Sequence, residues 1–182
     1  HISNKTIMEV GPGTGNLTSY ILKKKPKKIY VIEKDINLID VLSSKFKDQL
    51  FIINEDILNI DETKMFNEKA VVFGNLPYNI STEILSKWIT NLKDNFWFEN
   101  LILMFQKEVA DRIIAKSNTS QYGRLTILSN WKLKVRKICD VKPSAFFPKP
   151  KVESSILIFS PKEDYIKIND VKSLETITRI FF

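Results

Sequence analysis

The opening of the chain constrains its fold more than any other stretch. A short apolar run over Thr6–Val10 ends in Gly11-Pro12-Gly13-Thr14-Gly15, and Leu17, Tyr20 and Ile21 then recur at helical spacing. This reads as strand, glycine turn, helix, the entry unit of an α/β sheet. Glycines at such a junction let bare backbone approach a ligand at the start of the helix. The alternation continues with strands over 29–32, 50–53 and 71–73 and helices over 35–46 and 81–92. Strands alternating with helices predict a doubly wound, mostly parallel α/β sheet. Further on, 101–105 suits a buried strand, 107–116 and 122–131 suit helices, and 135–139 with 155–159 suit a closing pair of strands.

Composition narrows the chemistry. The chain has 182 residues, 43% hydrophobic and 27% charged, enough for one sizeable core. Its single cysteine, Cys139, excludes an internal disulfide and a multi-cysteine zinc site, and its single histidine, His1, argues against a histidine metal centre or triad, so no metal is expected. No apolar run reaches the ~20 residues of a membrane-spanning helix, and His1-Ile2-Ser3-Asn4-Lys5-Thr6 lacks the layout of a signal peptide, so a soluble, cytoplasmic protein without membrane partners is expected. Formal net charge is +7, which favours an anionic partner such as nucleic acid. The charge is concentrated: Lys132, Lys134, Arg136, Lys137, Lys142, Lys149 and Lys151 are accompanied by Asp140 as the sole acid between Trp131 and Lys151.

Two motifs carry specific chemistry. The dinucleotide fingerprint G-x-G-x-x-G would need glycine at position 16, but Asn16 stands there and the glycines alternate at 11, 13 and 15, with Glu9 two positions before. That spacing resembles the first motif of S-adenosylmethionine methyltransferases, in which the loop packs against the amino-acid part of the cofactor. Glu33 closes the second strand at the interval where an acid accepts hydrogen bonds from a ribose hydroxyl pair. Asp56 follows the third strand, placed for the adenine amino group of the same cofactor. Each also has a purely structural reading, as turn glycines or as a capping or solvated carboxylate. The second motif, Gly74-Asn75-Leu76-Pro77-Tyr78-Asn79-Ile80-Ser81, follows the fourth strand at the carboxyl edge of the sheet and resembles the Asn/Asp-Pro-aromatic motif of amino-methyltransferases. An exocyclic adenine amine is a poor nucleophile because its lone pair is delocalised into the ring. Acceptors from the Asn75 side chain and a main-chain carbonyl near Leu76 or Pro77 can hold both amine hydrogens and aim the nitrogen at the methyl donor. Pro77 stiffens the turn, and Tyr78 offers a face for the flipped base.

Asn-Leu-Pro-Tyr-Asn-Ile-Ser, Phe105-Gln106-Lys107-Glu108-Val109, Tyr122-Gly123-Arg124-Leu125 and the segment from Pro143 to Ser154 together resemble the bacterial small-subunit rRNA adenine dimethyltransferases over nearly the whole chain. The resemblance implies a Rossmann-like class I S-adenosylmethionine methyltransferase fold, with Gly11, Gly13, Glu33, Asp56 and Asn75 toward the cofactor. It also implies that Asn75, Leu76, Pro77, Tyr78 and Phe146 serve the target base, Phe146 opposite Tyr78. The less favoured reading of Phe146 is a core aromatic. The implied partner is small-subunit rRNA or the immature small ribosomal subunit, dimethylated on two adjacent adenosines by a monomeric enzyme.

Residues 1–160 are expected to form the catalytic domain and 161–182 a linker with the start of a helical domain. The apolar spacing of Val171, Leu174, Ile177 and Ile180 runs to the last residue, and an upstream Gln-x-Phe-Leu segment of the family is missing, so we expect a chain trimmed at both ends. Three alternatives stay open: a large-subunit rRNA adenine methyltransferase of the erythromycin-resistance type, a non-catalytic RNA-binding assembly factor on the same fold, and a nicotinamide-dependent oxidoreductase. Asn16 and the Asn-Leu-Pro-Tyr turn oppose the last.

Overall fold

The computed structural model describes residues 1–92, 95–168 and 170–182. Contacts divide it into two compact units, His1–Pro77 with Asn95–Leu103, and Tyr78–Asp94 with Met104–Phe182.

In the first unit, β1 (Thr6–Val10), α1 (Asn16–Leu22), β2 (Lys28–Glu33), α2 (Ile36–Phe46), β3 (Phe51–Asn54), β4 (Ala70–Gly74) and β5 (Phe98–Gln106) follow one another, the last three residues of β5 belonging to the second unit. The strand order is β3-β2-β1-β4-β5, and every pair is parallel. All five residues of β1 are buried, as a central strand covered on both faces requires, which is why its sequence runs apolar rather than alternating. Ile7, Ile29, Val31 and Val71 from the strands pack with Ile21 of α1 and Leu42 and Phe46 of α2 in one core cluster. Asp35 caps α2 by accepting from the Asn37 backbone N–H at 2.9 Å. The parallel register has a functional consequence. Val10 pairs with Ile32 and Gly74, and Glu33 pairs with Asn54, so the strands end side by side and the residues just beyond them share one edge.

The second unit holds α3 (Ser81–Asn91), α4 (Lys107–Ile113), α5 (Arg124–Lys132), β6 (Leu133–Val141), β7 (Ser154–Pro161) and α6 (Val171–Phe181). Strands β6 and β7 are antiparallel, with Val141 opposite Ser154 and Leu133 opposite Pro161. Phe105 and Phe159, both fully buried, meet edge to face with centroids 6.1 Å apart. The parallel strands of the first unit, with the antiparallel pair of the second, bear out the α/β, mostly parallel strands expected from the alternation. Strands β5, β6 and β7 run beyond the apolar runs that announced them, because ladder hydrogen bonds extend into polar residues such as Asn100 and Lys134. Helix α4 stops at Ile113, three residues short of the expected end.

Candidate active site

The glycine turn follows β1 directly. Gly11, Gly13 and Gly15 have φ of 68°, 56° and 75°, backbone that side chains rarely adopt. Their surroundings differ. A Cβ on Gly15 would lie 2.3 Å from Cε2 of Phe46, so this glycine lets α1 start against α2. A Cβ on Gly11 would lie 3.3 Å from the Asn75 carbonyl oxygen, whereas one on Gly13 would meet nothing within 4 Å. Gly13 therefore borders open space.

Glu33, the last residue of β2, faces that turn. Its Oε2 accepts from the Gly13 N–H at 3.4 Å, and its Oε1 accepts from the N–H groups of Lys34 and Asp35 at 2.9 and 3.1 Å. Three main-chain donors thus fix the orientation of one carboxylate. Asp56 lies beyond β3, where its side chain accepts from the Leu58 N–H at 3.0 Å and caps a 3-10 turn over Ile57–Asn59, while Oδ2 pairs with Lys34 Nζ at 2.9 Å. The Asp56 carboxylate holds the Lys34 ammonium above its usual range, chiefly through this hydrogen bond. Asn75 and Pro77 are exposed and Leu76 is buried, immediately after β4. The sequence-predicted residues Gly11, Gly13, Glu33 and Asn75 thus adjoin along one edge of the first unit, with Asp56 on the flank.

Beneath the turn lies Glu9, 2% exposed on β1. Burial raises its carboxyl from 4.5 to about 7, and a hydrogen bond donated by the Thr18 hydroxyl at 2.7 Å pulls the other way. The motif spacing singled out the acid, but not its partner or its burial.

In the second unit, Tyr78 is half-buried and held at two points. Its carbonyl accepts from the Ser81 hydroxyl at 3.1 Å, and its phenol oxygen lies 2.6 Å from Oγ of Ser154. Phe146 is half-buried after the 3-10 turn Pro143–Ala145, and its N–H donates to the Pro143 carbonyl at 3.2 Å, whereas Phe147 is fully exposed. Lys134, Arg136, Lys142, Lys149 and Lys151 are exposed as well. Ser81 and Ser154 were not singled out individually in the sequence, because a serine hydroxyl shows its partner only once distant segments meet.

Among the described residues no group of three or more His, Cys, Asp and Glu side chains could hold a metal ion. A parallel α/β sheet whose first strand turns through glycines into a helix defines a Rossmann-like domain of the class I methyltransferase type. The structure resembles that of a dimethyladenosine transferase from Plasmodium falciparum with a TM-score of 0.82 at 34% identity, covering 98% of this chain and 64% of that one. The chain belongs to the ribosomal RNA adenine dimethylase family, which it matches over residues 3–182. It is 62% identical over 181 residues to the ribosomal RNA small subunit methyltransferase A of Pelagibacter ubique (strain HTCC1062), covering 100% of this chain and 69% of that protein. The protein of the same name from Wolbachia sp. subsp. Drosophila simulans (strain wRi) is 40% identical over 183 residues, covering 98% of this chain and 65% of the relative. The chain therefore spans about two thirds of the length of these relatives.

Proposed function

We propose that this chain transfers methyl groups from S-adenosylmethionine to the exocyclic amine of adenines in small-subunit rRNA, dimethylating two adjacent adenosines during ribosome biogenesis. The observation that carries the reading is that a Cβ on Gly11 would lie 3.3 Å from the Asn75 carbonyl oxygen, so that the glycine turn runs beside the Asn-Leu-Pro turn. The residues fit the cofactor. Gly13 borders open space, and the Glu33 carboxylate stands next to it, oriented by three N–H groups. Gly11 and Gly13 would admit the amino-acid part, Glu33 the ribose hydroxyls and Asp56 the adenine. The bound cofactor supplies an activated methyl group on a sulfonium.

The chain's own groups do the rest. The Asn75 side-chain oxygen and a carbonyl of Leu76 or Pro77 accept the two amine hydrogens, which holds the nitrogen in line with the donor. Tyr78 and Phe146 stack on the flipped base, and an aromatic face also tolerates the positive charge that grows on nitrogen during transfer. The proton is lost from an alkylated ammonium-like nitrogen, so no base of unusual pKa is required. The basic residues from Lys134 to Lys151 would engage rRNA phosphates. In this reading residues 1–160 form the catalytic domain and 161–182 a linker with the start of a helical domain, and the enzyme is a cytoplasmic monomer. Among the described residues no helix is long and apolar enough to cross a membrane.

Calorimetric titration with S-adenosylmethionine tests the reading, followed by methyl transfer to immature small subunits by the full chain. Saturable binding that Glu33→Ala weakens about tenfold or more supports it, the loss expected for a charged hydrogen-bond acceptor. A full chain that binds no cofactor would sink it.

A further inference from the structure

We infer that Ser154 is a positioning residue for methyl transfer: its buried hydroxyl fixes the ring of Tyr78 as a preset stacking platform for the target base. The inference rests on the proposed role of Tyr78.

Ser154 opens β7 and is fully buried. The residues on either side of it are pinned. The Glu153 carbonyl accepts from the Lys107 N–H at 2.9 Å and its carboxylate pairs with Lys107 Nζ at 2.6 Å, while the Ser155 hydroxyl donates to Asp140 at 2.6 Å. Val141 of β6 faces Ser154 across the ladder. The Ser154 hydroxyl is therefore a fixed post rather than a mobile surface group. Tyr78 Oη lies 2.6 Å from it, close to the usual separation for a hydroxyl pair, and either hydroxyl can donate.

At the other end of Tyr78, the Ser81 hydroxyl, 1% exposed, donates to its carbonyl. A tyrosine has two side-chain torsions. With its backbone held by Ser81 and its phenol tip by Ser154, both are set before any base arrives. A base landing on a mobile ring must pay the entropy of ordering it, and a fixed ring removes that cost from the step in which the amine is aimed at the methyl group. A phenylalanine at position 78 would keep the stacking face and lose the anchor. This gives tyrosine a function distinct from its π-face.

The test is steady-state methyl transfer to small-subunit rRNA by the full chain, with cofactor affinity and melting temperature measured alongside. Ser154→Ala and Tyr78→Phe should each lower kcat about five- to tenfold, the worth of one hydrogen bond. The KM for RNA and the affinity for S-adenosylmethionine should stay within twofold. The double variant should be no slower than either single one, because both remove the same bond. Ser154→Thr, which keeps the hydroxyl, should recover most of the rate. Additive losses in the double variant, or Ser154→Ala at the wild-type rate with a lowered melting temperature, would overturn the inference and leave Ser154 as packing. Tyr78→Ala tests the underlying reading separately: transfer at the wild-type rate would remove Tyr78 from the reaction whatever Ser154 does.

Discussion

A Cβ on Gly11 would lie 3.3 Å from the backbone carbonyl oxygen of Asn75, so the glycine turn after β1 and the main chain of the Asn-Leu-Pro turn after β4 run close beside each other. A side chain there would push the Asn75 carbonyl back by a few tenths of an ångström and would be strained at a φ of 68°. Gly11→Val should therefore displace one turn from the other, weakening S-adenosylmethionine by about thirtyfold or more, in keeping with ~2 kcal/mol of backbone strain. Calorimetric titration reads the loss, and unchanged affinity would mean that the two turns can part without consequence.

Asn75 follows β4 with its side chain exposed, which suits a group that meets substrate rather than one that supports the core. Asn75→Ala should abolish methyl transfer while leaving rRNA affinity within a few-fold, because phosphate contacts dominate binding. Parallel loss of both in filter-binding and transfer assays would assign Asn75 to folding or docking instead.

Glu9 makes stability depend on pH. Its carboxyl sits at about 7 when folded, against 4.5 as its ordinary value, because burial disfavours the charge. Between those values Glu9 makes the folded chain hold more protons than the unfolded one, so the stability contributed by this group is fully present below about pH 4.5 and is lost as pH rises through about 7. The loss amounts to roughly 3 kcal/mol. Glu9→Gln, which keeps an acceptor for the Thr18 hydroxyl, should remove it. Melting temperatures of the two proteins should diverge from about pH 5 to about pH 8, with the wild type declining; parallel curves would clear Glu9 of the effect.

Lys134, Arg136 and Lys142 are exposed in the second unit. Each replacement by alanine should weaken rRNA binding about equally for cognate and unrelated RNA and reduce the slope of log affinity against log salt by about 0.7–0.9. A salt titration of binding checks this. An unchanged slope would show that the basic stretch serves solubility only.

Much of the fold was legible because its signals are local. The apolar runs ending in glycine or acid marked β1, β2 and β4, and the periodic apolar positions marked α2 and α3, each within a residue or two of where it lies, and those of α1 marked a helix after the glycine turn. Backbone hydrogen bonding and side-chain direction impose those periods within a few residues, so a single strand of text carries them. The places of Gly11, Gly13, Glu33, Asp56 and Asn75 at or just beyond the strand ends were legible in the same way, since every parallel strand delivers its next residue to the same edge.

What the text left out depends on segments distant in sequence. That Gly15 is required against Phe46, that Glu9 is sealed in with Thr18, and that Tyr78 is tied to Ser154 are each a matter of one atom lying against another across the fold. The sequence by itself determined the alternating α/β order, the glycine turn and the carboxyl-edge residues, because these follow from periodicity and turn chemistry. The tertiary structure alone decided which hydroxyl meets which partner and which carboxylate is buried, because burial and hydrogen-bond geometry arise only when the elements pack.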